Sequence, residues 1–346
     1  MKKPSLLLIA LLMLVSIISA QEKQSDTQAE FERLSASTVS LYTDKKFDEA
    51  LQPAKRALSM GERLFGNDHE SVASALNNLA KVYVALGKIG DAEKLYQRAL
   101  KIYEDKQGAN SLKIADIFES LGFIEQFAKR NHIRAEAFYL RSLSIREKVL
   151  GQEHDDVLLS LGRLISIYSA KGEKNKVEPL LQRIALVREK TLSPIDPKRV
   201  IALQNYACFM RRTNRKAEAE ELENRAYTAL LKELSINSEL LSLRSGMVIC
   251  RAIKLDVPDQ GNLMSKGYSG SGSVPVQLII DESGKVISAN ALGGTTPFRK
   301  PCEHSALRSS FAPLIIGGKP VRYTSVITYT FEGIRRDTYS TGVLIQ

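Results

Sequence analysis

Histidine and cysteine are the residue types that most often bind metals or act as nucleophiles, and neither forms a recognisable site in this sequence. The four histidines show no His-Glu-x-x-His pair and no zinc-like spacing with the cysteines; they are His69, His132, His154 and His304. GYSGSG (267–272) resembles a nucleophile elbow or phosphate loop, but Ser271 stands where the elbow needs glycine and no Lys-Ser/Thr follows. We expect no enzyme, no metal and no cofactor, and a linker at 267–272.

Composition argues against two further classes of site. The chain has 346 residues, of which 44% are hydrophobic, so it can bury a large core, but it lacks Trp and is 7% aromatic, which disfavours a carbohydrate or nucleobase site. Its net charge is +10, with acidic residues interspersed almost throughout. We therefore expect solvated helix faces rather than a nucleic-acid arm, and no nucleic-acid partner.

The N-terminus has the pattern of a secretory signal. Lys2 and Lys3 precede the apolar run Leu6 to Ile18, and small Ser19 and Ala20 follow. The 15 residues from 6 to 20 span about 22 Å at roughly 1.5 Å per residue, short of a hydrocarbon core of about 30 Å. We predict a signal peptide, residues 1–20, cleaved after Ala20; an uncleaved anchor is the alternative. Position 21 is Gln rather than Cys, so the lipid-attachment signal is missing.

A repeat occupies the helical part of the chain. YQRALKIYE (Tyr96 to Glu104) and YLRSLSIRE (Tyr139 to Glu147) share tyrosine, arginine, leucine, isoleucine and glutamate at a spacing of 43. Ala50 and Ala92 match at a spacing of 42. The frame predicts five helix pairs, starting near residues 29, 71, 112, 156 and 198.

Neither helix of a pair can bury its apolar stripe alone, so the pairs must stack into a solenoid with a concave face. In the second pair, Gly87 ends one helix and small Ala92 and Ala99 let the next approach closely. His69 and His154 come directly before new helices, which indicates a structural role in the connections.

The repeat resembles tetratricopeptide repeats of the kinesin-light-chain type, whose signature reads here LNNLAKVY, Leu76 to Tyr83. The resemblance implies a concave groove that binds extended peptides through asparagine carboxamides. It makes Asn77, Asn78 and Asn205 candidates for groove contacts. An equal alternative is that these asparagines hydrogen-bond between helices.

A change of period marks the C-terminal region. Val274, Val276, Leu278 and Ile280 recur at every second position, which predicts a strand. Asp-Glu-Ser-Gly then provides a turn, and residues 286–292 form the returning strand of the hairpin. A helix from Pro301 to Ser310 and a third alternating strand, 323–331, follow. The order predicts a small α+β domain, an antiparallel three-stranded sheet with a helix across one face.

The same region resembles the C-terminal domain of TonB. The matching residues include Gly272, Val274, Val276, Asp281, Gly284, Val286, Ala306, Phe311, Pro313, Gly318, Pro320, Val321, Tyr329 and Phe331. The resemblance implies a periplasmic domain that docks on an outer-membrane protein by adding a strand to its sheet.

These observations predict the domain organisation and one disulfide. The predicted parts are a signal peptide (1–20), a tetratricopeptide solenoid (28–234), a linker (235–247), a TonB-like domain (248–333) and a tail (334–346). Cys208 falls on a repeat helix as a buried apolar residue. Cys250 and Cys302 fall in the C-terminal domain of an exported protein, and we expect a disulfide between them.

The sequence therefore favours an exported, periplasmic, non-catalytic scaffold. Its repeats would bind a protein or peptide, and its TonB-like domain would dock an envelope protein by strand addition. The alternative is a TonB-like transducer of outer-membrane transport, anchored in the inner membrane and facing the periplasm. TonB transducers carry a membrane helix with a histidine and a proline-rich spacer, whereas residues 1–20 contain no histidine and repeats stand where the spacer would be.

Overall fold

A computed structural model of the chain describes residues 27–236, 241–243, 245–259, 270–334 and 343–345. The chain divides into two compact units, Met1–Val177 and Glu178–Gln346. The predicted signal segment, residues 1–20, lies outside the described residues, and so do residues 267–269 of the linker predicted at 267–272. None of the helices described here is long and apolar enough to cross a membrane.

Within the described residues, ten helices follow one another as five pairs. They are α1 (27–43), α2 (Phe47–Phe65), α3 (Glu70–Ala85), α4 (Ile89–Gln107), α5 (Leu112–Phe123), α6 (His132–Leu150), α7 (Asp155–Ala170), α8 (Lys174–Thr191), α9 (Pro197–Arg212) and α10 (Lys216–Ile236). The first helix of each of the second to fifth pairs begins within one residue of its predicted start. A π-helical turn, Ile124–Ala128, extends α5.

The turn inside each pair contains one residue in the left-handed region of backbone space. These residues are Lys45 (φ 61°), Gly87 (φ 74°), Arg130 (φ 55°), Gly172 (φ 72°) and Asn214 (φ 63°). They recur in the same repeat position, so the turn geometry repeats although the residue type does not. Only glycine adopts this conformation without a steric cost from Cβ.

Side-chain caps start the first helix of four pairs. His69 Nδ1 accepts a hydrogen bond from Ser71 N at 3.1 Å, and His154 Nδ1 accepts one from Asp156 N at 3.1 Å. Ser111 and Asp196 make the equivalent caps of α5 and α9. The predicted structural role of His69 and His154 is confirmed.

The core of the repeats is built from small and aromatic residues at fixed positions. Ala92 and Ala99 are fully buried, as the repeat predicts for close helix contact. Tyr96 and Tyr139, in the same position of successive pairs, are also fully buried. Burial raises the pKa of Tyr139 to about 12.

The C-terminal region of the second unit is a mixed α+β arrangement. Its elements are β1 (Leu241–Leu243), α11 (Ser245–Cys250), β2 (Ala252–Lys254), β3 (Gly270–Ile280), β4 (Val286–Ala291), α12 (Thr296–Arg308), β5 (Ser310–Phe311), β6 (Leu314–Ile316), β7 (Lys319–Val321), β8 (Tyr323–Ile334) and β9 (Val343–Ile345). β8, β3 and β4 are antiparallel neighbours, and α12 packs against β3 and β4.

This arrangement corrects the predicted sheet in two respects. The sheet has five strands within the described residues, because β1 pairs with β8 in parallel and β9 pairs with β8 in antiparallel orientation. Both added strands have three residues, too few for an alternating pattern to be visible. The helix begins at Thr296 rather than Pro301, because Pro297 already lies in its first turn.

The predicted disulfide is replaced by another. Cys250 pairs with Cys208, with 5.5 Å between the two Cα atoms, and the thiol of Cys302 is free and buried. The reason is that α11 packs against α9, which brings Cys250 to the last helix pair. Cys302 lies on α12 among the buried core residues, and burial raises the pKa of its thiol to about 12.

Candidate protein-interaction surfaces

The three candidate groove asparagines occupy two of the five pairs. Asn77 and Asn78 are half-buried on α3 in the first unit, and Asn205 is exposed on α9 in the second. The side-chain oxygen of Asn77 is buried and accepts no hydrogen bond within the described residues. Counted from the helix caps, Glu119, Gly162 and Gln204 take the position of Asn77 in the later pairs. Asn205 takes the position of Asn78, with Ser120 and Arg163 in the intervening pairs, so neither row is continuous asparagine.

A mixed acidic and aromatic face lies on α5 and its π-helical turn; we call the residues Glu119, Phe123 and Phe127 the α5 face. The centroids of the two phenylalanine rings are 4.7 Å apart, and Phe123 is 40% and Phe127 55% exposed. Large apolar side chains four residues apart lie on the same side of a helix. This exposed pair is suited to pack against an apolar side chain of a partner.

The π-helical turn is held in place by a buried glutamine. Gln126 Oε1 accepts a hydrogen bond from the Tyr139 hydroxyl at 3.0 Å, and its Nε2 donates to Ser166 Oγ at 3.0 Å. The turn is therefore tied to both α6 and α7. Sequence reasoning missed it, although a spacing of 43 where other repeats have 42 was a signal of one extra residue.

A polar layer joins α5, α6 and α7 beside the α5 face. Arg146, 8% exposed, donates hydrogen bonds to Asp116 (3.0 Å), Glu119 (3.2 Å) and Ser160 (2.7 Å). Arg163 donates to Glu119 at 2.8 Å. These bonds hold the Glu119 carboxylate in place. The sequence indicates this layer only through Arg146, which stands where the preceding repeat has Tyr103.

A second charged cluster lies between α6 and the turn after α7. Lys171 contacts Glu136 at 2.8 Å and Glu173 at 2.7 Å, and Lys176 contacts Glu173 at 2.9 Å. Burial raises the pKa of the Glu136 carboxyl, but hydrogen bonds from Lys171 and Tyr168 outweigh burial and lower it below its ordinary value. The paired charges are a structural feature of this turn rather than free recognition groups.

Asp281 and Gly284, two of the residues that carry the predicted TonB resemblance, form the first turn of the sheet. Asp281 Oδ1 accepts hydrogen bonds from Ser283 N (2.9 Å), Ser283 Oγ (2.6 Å) and Lys285 N (3.0 Å), and these bonds lower the pKa of its carboxyl. Gly284 has φ 88°, and a Cβ there would collide with the carbonyl oxygen of Phe311. The backbone N–H of Phe311 donates to Gly284 O at 2.8 Å, so the turn and β5 fit closely.

The other motif residues also support the fold. Gly272 pairs with Phe331 across β3 and β8, and Phe331 stacks on Phe298 of α12 with 4.6 Å between ring centroids. Gly318 adopts φ 75° in the turn between β6 and β7, and Pro320 and Val321 lie in β7. The carbonyl oxygen of Pro313 accepts a hydrogen bond from Arg251.

The outer edge of β4 is a candidate docking surface. In the part of the chain that the structure describes, β4 pairs with β3 and with no other strand. Leu292 N donates to Pro275 O on β3, so by alternation the N–H groups of Ala289 and Ala291 point outward. Ala291 N donates to Glu303, whereas Ile287 is 45% exposed beside the open part of the edge.

No group of three histidine, cysteine or acidic side chains is placed to hold a metal ion within the described residues. What the geometry offers is two surfaces for macromolecules: the α5 face on the first unit and the β4 edge on the second.

The repeats match known families. Two tetratricopeptide-repeat models match residues 39–105 and 115–156. Nephrocystin-3 of Xenopus tropicalis is 45% identical over 51 residues, 15% of this chain and 4% of that protein. A TPR repeat-containing protein of Dictyostelium discoideum is 32% identical over 123 residues, 34% of this chain and 7% of that protein. The chain thus spans a small fraction of these curated relatives.

Two solved structures share the fold of the repeats. A kinesin light chain with nearly identical TPR-like repeats from Podosopora anserina has a TM-score of 0.51 at 20% identity, over 61% of this chain and 97% of that one. BtubC from P. vanneervenii has a TM-score of 0.51 at 20% identity, over 64% of this chain and 91% of that one. The protein therefore contains tetratricopeptide repeats with kinesin-light-chain-like structural neighbours.

Proposed function

We propose that this protein is an exported, non-catalytic interaction scaffold of the cell envelope. Tetratricopeptide repeats generally act as protein-interaction scaffolds, and the repeats here would bind a protein or peptide partner. The observation that carries the proposal is the exposed Phe123–Phe127 pair beside the fixed Glu119 carboxylate on the repeats. An exposed aromatic pair suits an extended peptide with an apolar side chain.

The C-terminal region would dock a second envelope protein by strand addition at the β4 edge. An outward N–H at Ala289 and the exposed Ile287 supply a backbone donor and an apolar contact, which are the two components of strand addition. The TonB resemblance of residues 248–333 supports an outer-membrane protein as this partner.

Matched variants of the full exported chain test both surfaces by quantitative capture of partners from an envelope fraction. Phe127→Ala removes half of the aromatic pair, with Leu140→Ala, another exposed apolar residue (44%), as its control. Ala289→Pro removes the outward N–H of β4 without a ladder bond to β3, with Asn290→Ala as its control. We expect about tenfold lower capture of one partner with Phe127→Ala and of a different partner with Ala289→Pro.

Each result bears on one surface. An unchanged set of partners for Ala289→Pro, with its melting temperature retained, would reject strand addition and leave the repeat scaffold in place. If Phe127→Ala and Leu140→Ala behave alike, the α5 face is not the binding surface.

Export is supported by the signal-like residues 1–20 and by the Cys208–Cys250 disulfide, because disulfides persist in oxidising compartments. N-terminal sequencing of the protein from a periplasmic fraction should begin at Gln21. Recovery of intact Met1 in the membrane fraction would instead favour the anchored, TonB-like transducer.

A further inference from the structure

A cavity of about 400 Å³ lies in the second unit, where the turn between α9 and α10 meets β2 and the segment between β5 and β6. Arg211, Lys216 and Glu220 form its polar wall, and Ile253, Pro313 and Ile315 form its apolar wall. The volume is within the range of small-ligand pockets.

The polar wall belongs to a cluster with more positive than negative charge. Glu223 is fully buried and pairs with Arg211 at 2.7 Å and with Arg251 at 2.5 Å, so two guanidinium groups share one carboxylate. Arg251 also donates to the carbonyl oxygens of Ala312 and Pro313. Lys216 makes no ion pair within the described residues. The cluster therefore has three positive side chains, Arg211, Arg251 and Lys216, and two negative ones, Glu220 and Glu223, which leaves one net positive charge.

Arg211 lines this cavity and has one guanidinium nitrogen that makes no hydrogen bond within the described residues. Its side chain is 7% exposed and holds Glu223 through Nε (2.9 Å) and Nη2 (2.7 Å). In the described part of the chain, no hydrogen bond is made by the remaining nitrogen, Nη1. A guanidinium nitrogen without a protein partner at the wall of a cavity favours an acceptor, above all a charged one.

We propose that this cavity binds a carboxylate joined to a short apolar group. The carboxylate accepts hydrogen bonds from Arg211 Nη1 and Lys216 Nζ and neutralises the excess charge, while the apolar group packs on Ile253 and Ile315. The site goes beyond the proposed function and does not depend on it. Its ligand is either a free small acid or the C-terminal carboxylate of another polypeptide.

Calorimetric titration of the full exported chain at neutral pH tests this site. The probes are hexanoate, the peptide Gly-Gly-Leu with a free carboxylate, the same peptide amidated, and inorganic sulfate. We expect saturable binding of one or both carboxylates and none of the amide. Hexanoate alone identifies a free acid as the ligand, and the peptide acid alone identifies a polypeptide terminus.

Three variants separate a binding role from a structural one. Lys216→Gln should weaken binding by roughly tenfold, and Glu220→Gln should tighten it by a few fold, because it removes a repelling carboxylate. Lys319→Gln, an exposed lysine of the same unit that does not line the cavity, should change nothing. Absent carboxylate binding, equal binding by Lys216→Gln, or tighter binding of sulfate than of hexanoate would overturn the proposal.

Discussion

At the residue scale, the turn inside each helix pair shows how one backbone conformation recurs with different residues. Gly87 and Gly172 occupy the left-handed position without strain, whereas Lys45, Arg130 and Asn214 occupy it with a Cβ. The sequence predicts the glycine of the second pair as a helix end. It could not predict Lys45 or Arg130 there, because the position is imposed by the packing of the two helices rather than by local preference.

Two glycines of the fourth pair give a matched test of this conformational argument. Gly172→Ala should lower the free energy of unfolding by about 1 kcal/mol, because φ is 72° there and Cβ opposes that conformation. Gly162→Ala should raise it by up to about 1 kcal/mol, because Gly162 is an exposed helical residue with open space around it. Urea unfolding of both variants measures the two changes.

The test depends on the two substitutions changing the free energy of unfolding in opposite directions. Neither position has another heavy atom within 4 Å of the added Cβ, so packing does not contribute. Stabilisation by Gly172→Ala, or equal effects at both positions, would contradict a left-handed requirement in the turn.

At the element scale, the irregular repeat spacing has a structural cause. The helix caps His69 and Ser111 are 42 residues apart, and Ser111 and His154 are 43 apart, whereas Arg130 and Gly172 are again 42 apart. The extra residue therefore lies between Ser111 and Arg130, where the π-helical turn Ile124–Ala128 accommodates it. The same turn carries Phe127 of the α5 face, so one inserted residue and an exposed aromatic surface coincide.

The strands show which elements a pattern can predict. Sequence analysis predicted β3, β4 and β8 because their alternation extends over several residues, and each is at least six residues long. β1, β2 and β5 have two or three residues each and pair with segments distant in the chain, and β6 and β7 form a hairpin of only three residues on each side. Likewise, the β4 edge follows from the register with β3, which local sequence does not encode.

At the scale of the whole molecule, the second compact unit combines repeat helices with the C-terminal sheet. Tyr227 of α10 and Phe331 of β8 belong to one buried apolar cluster, and Arg251 bonds to Glu223 of α10. The end of a repeat array must cover its last apolar face, and the sheet region supplies that cover for α9 and α10. The sequence analysis treated the repeats and the C-terminal region as separate domains, so it did not predict this shared core. For the same reason it paired Cys250 with Cys302 rather than with Cys208.

The disulfide of this shared core can be tested with three reactions on the protein purified without reductant. Iodoacetamide should label no cysteine in the native protein, because Cys302 is buried and its pKa is raised to about 12. Denaturation without reductant should expose Cys302, and peptide mapping should recover Cys208 cross-linked to Cys250. Reduction of the bond, which closes a separation of 42 residues, should lower the free energy of unfolding by about 4 kcal/mol in the chain-entropy model.

A paired set of variants attributes that loss to the bond itself. Cys208→Ser combined with Cys250→Ser should match the reduced wild type, since both lack the cross-link between α9 and α11. Cys302→Ala keeps the bond, so its unfolding should remain sensitive to reductant even though a buried side chain is shortened. A cross-linked peptide containing Cys302, or a reductant-insensitive wild type, would show that the disulfide does not join the last helix pair to the C-terminal sheet region.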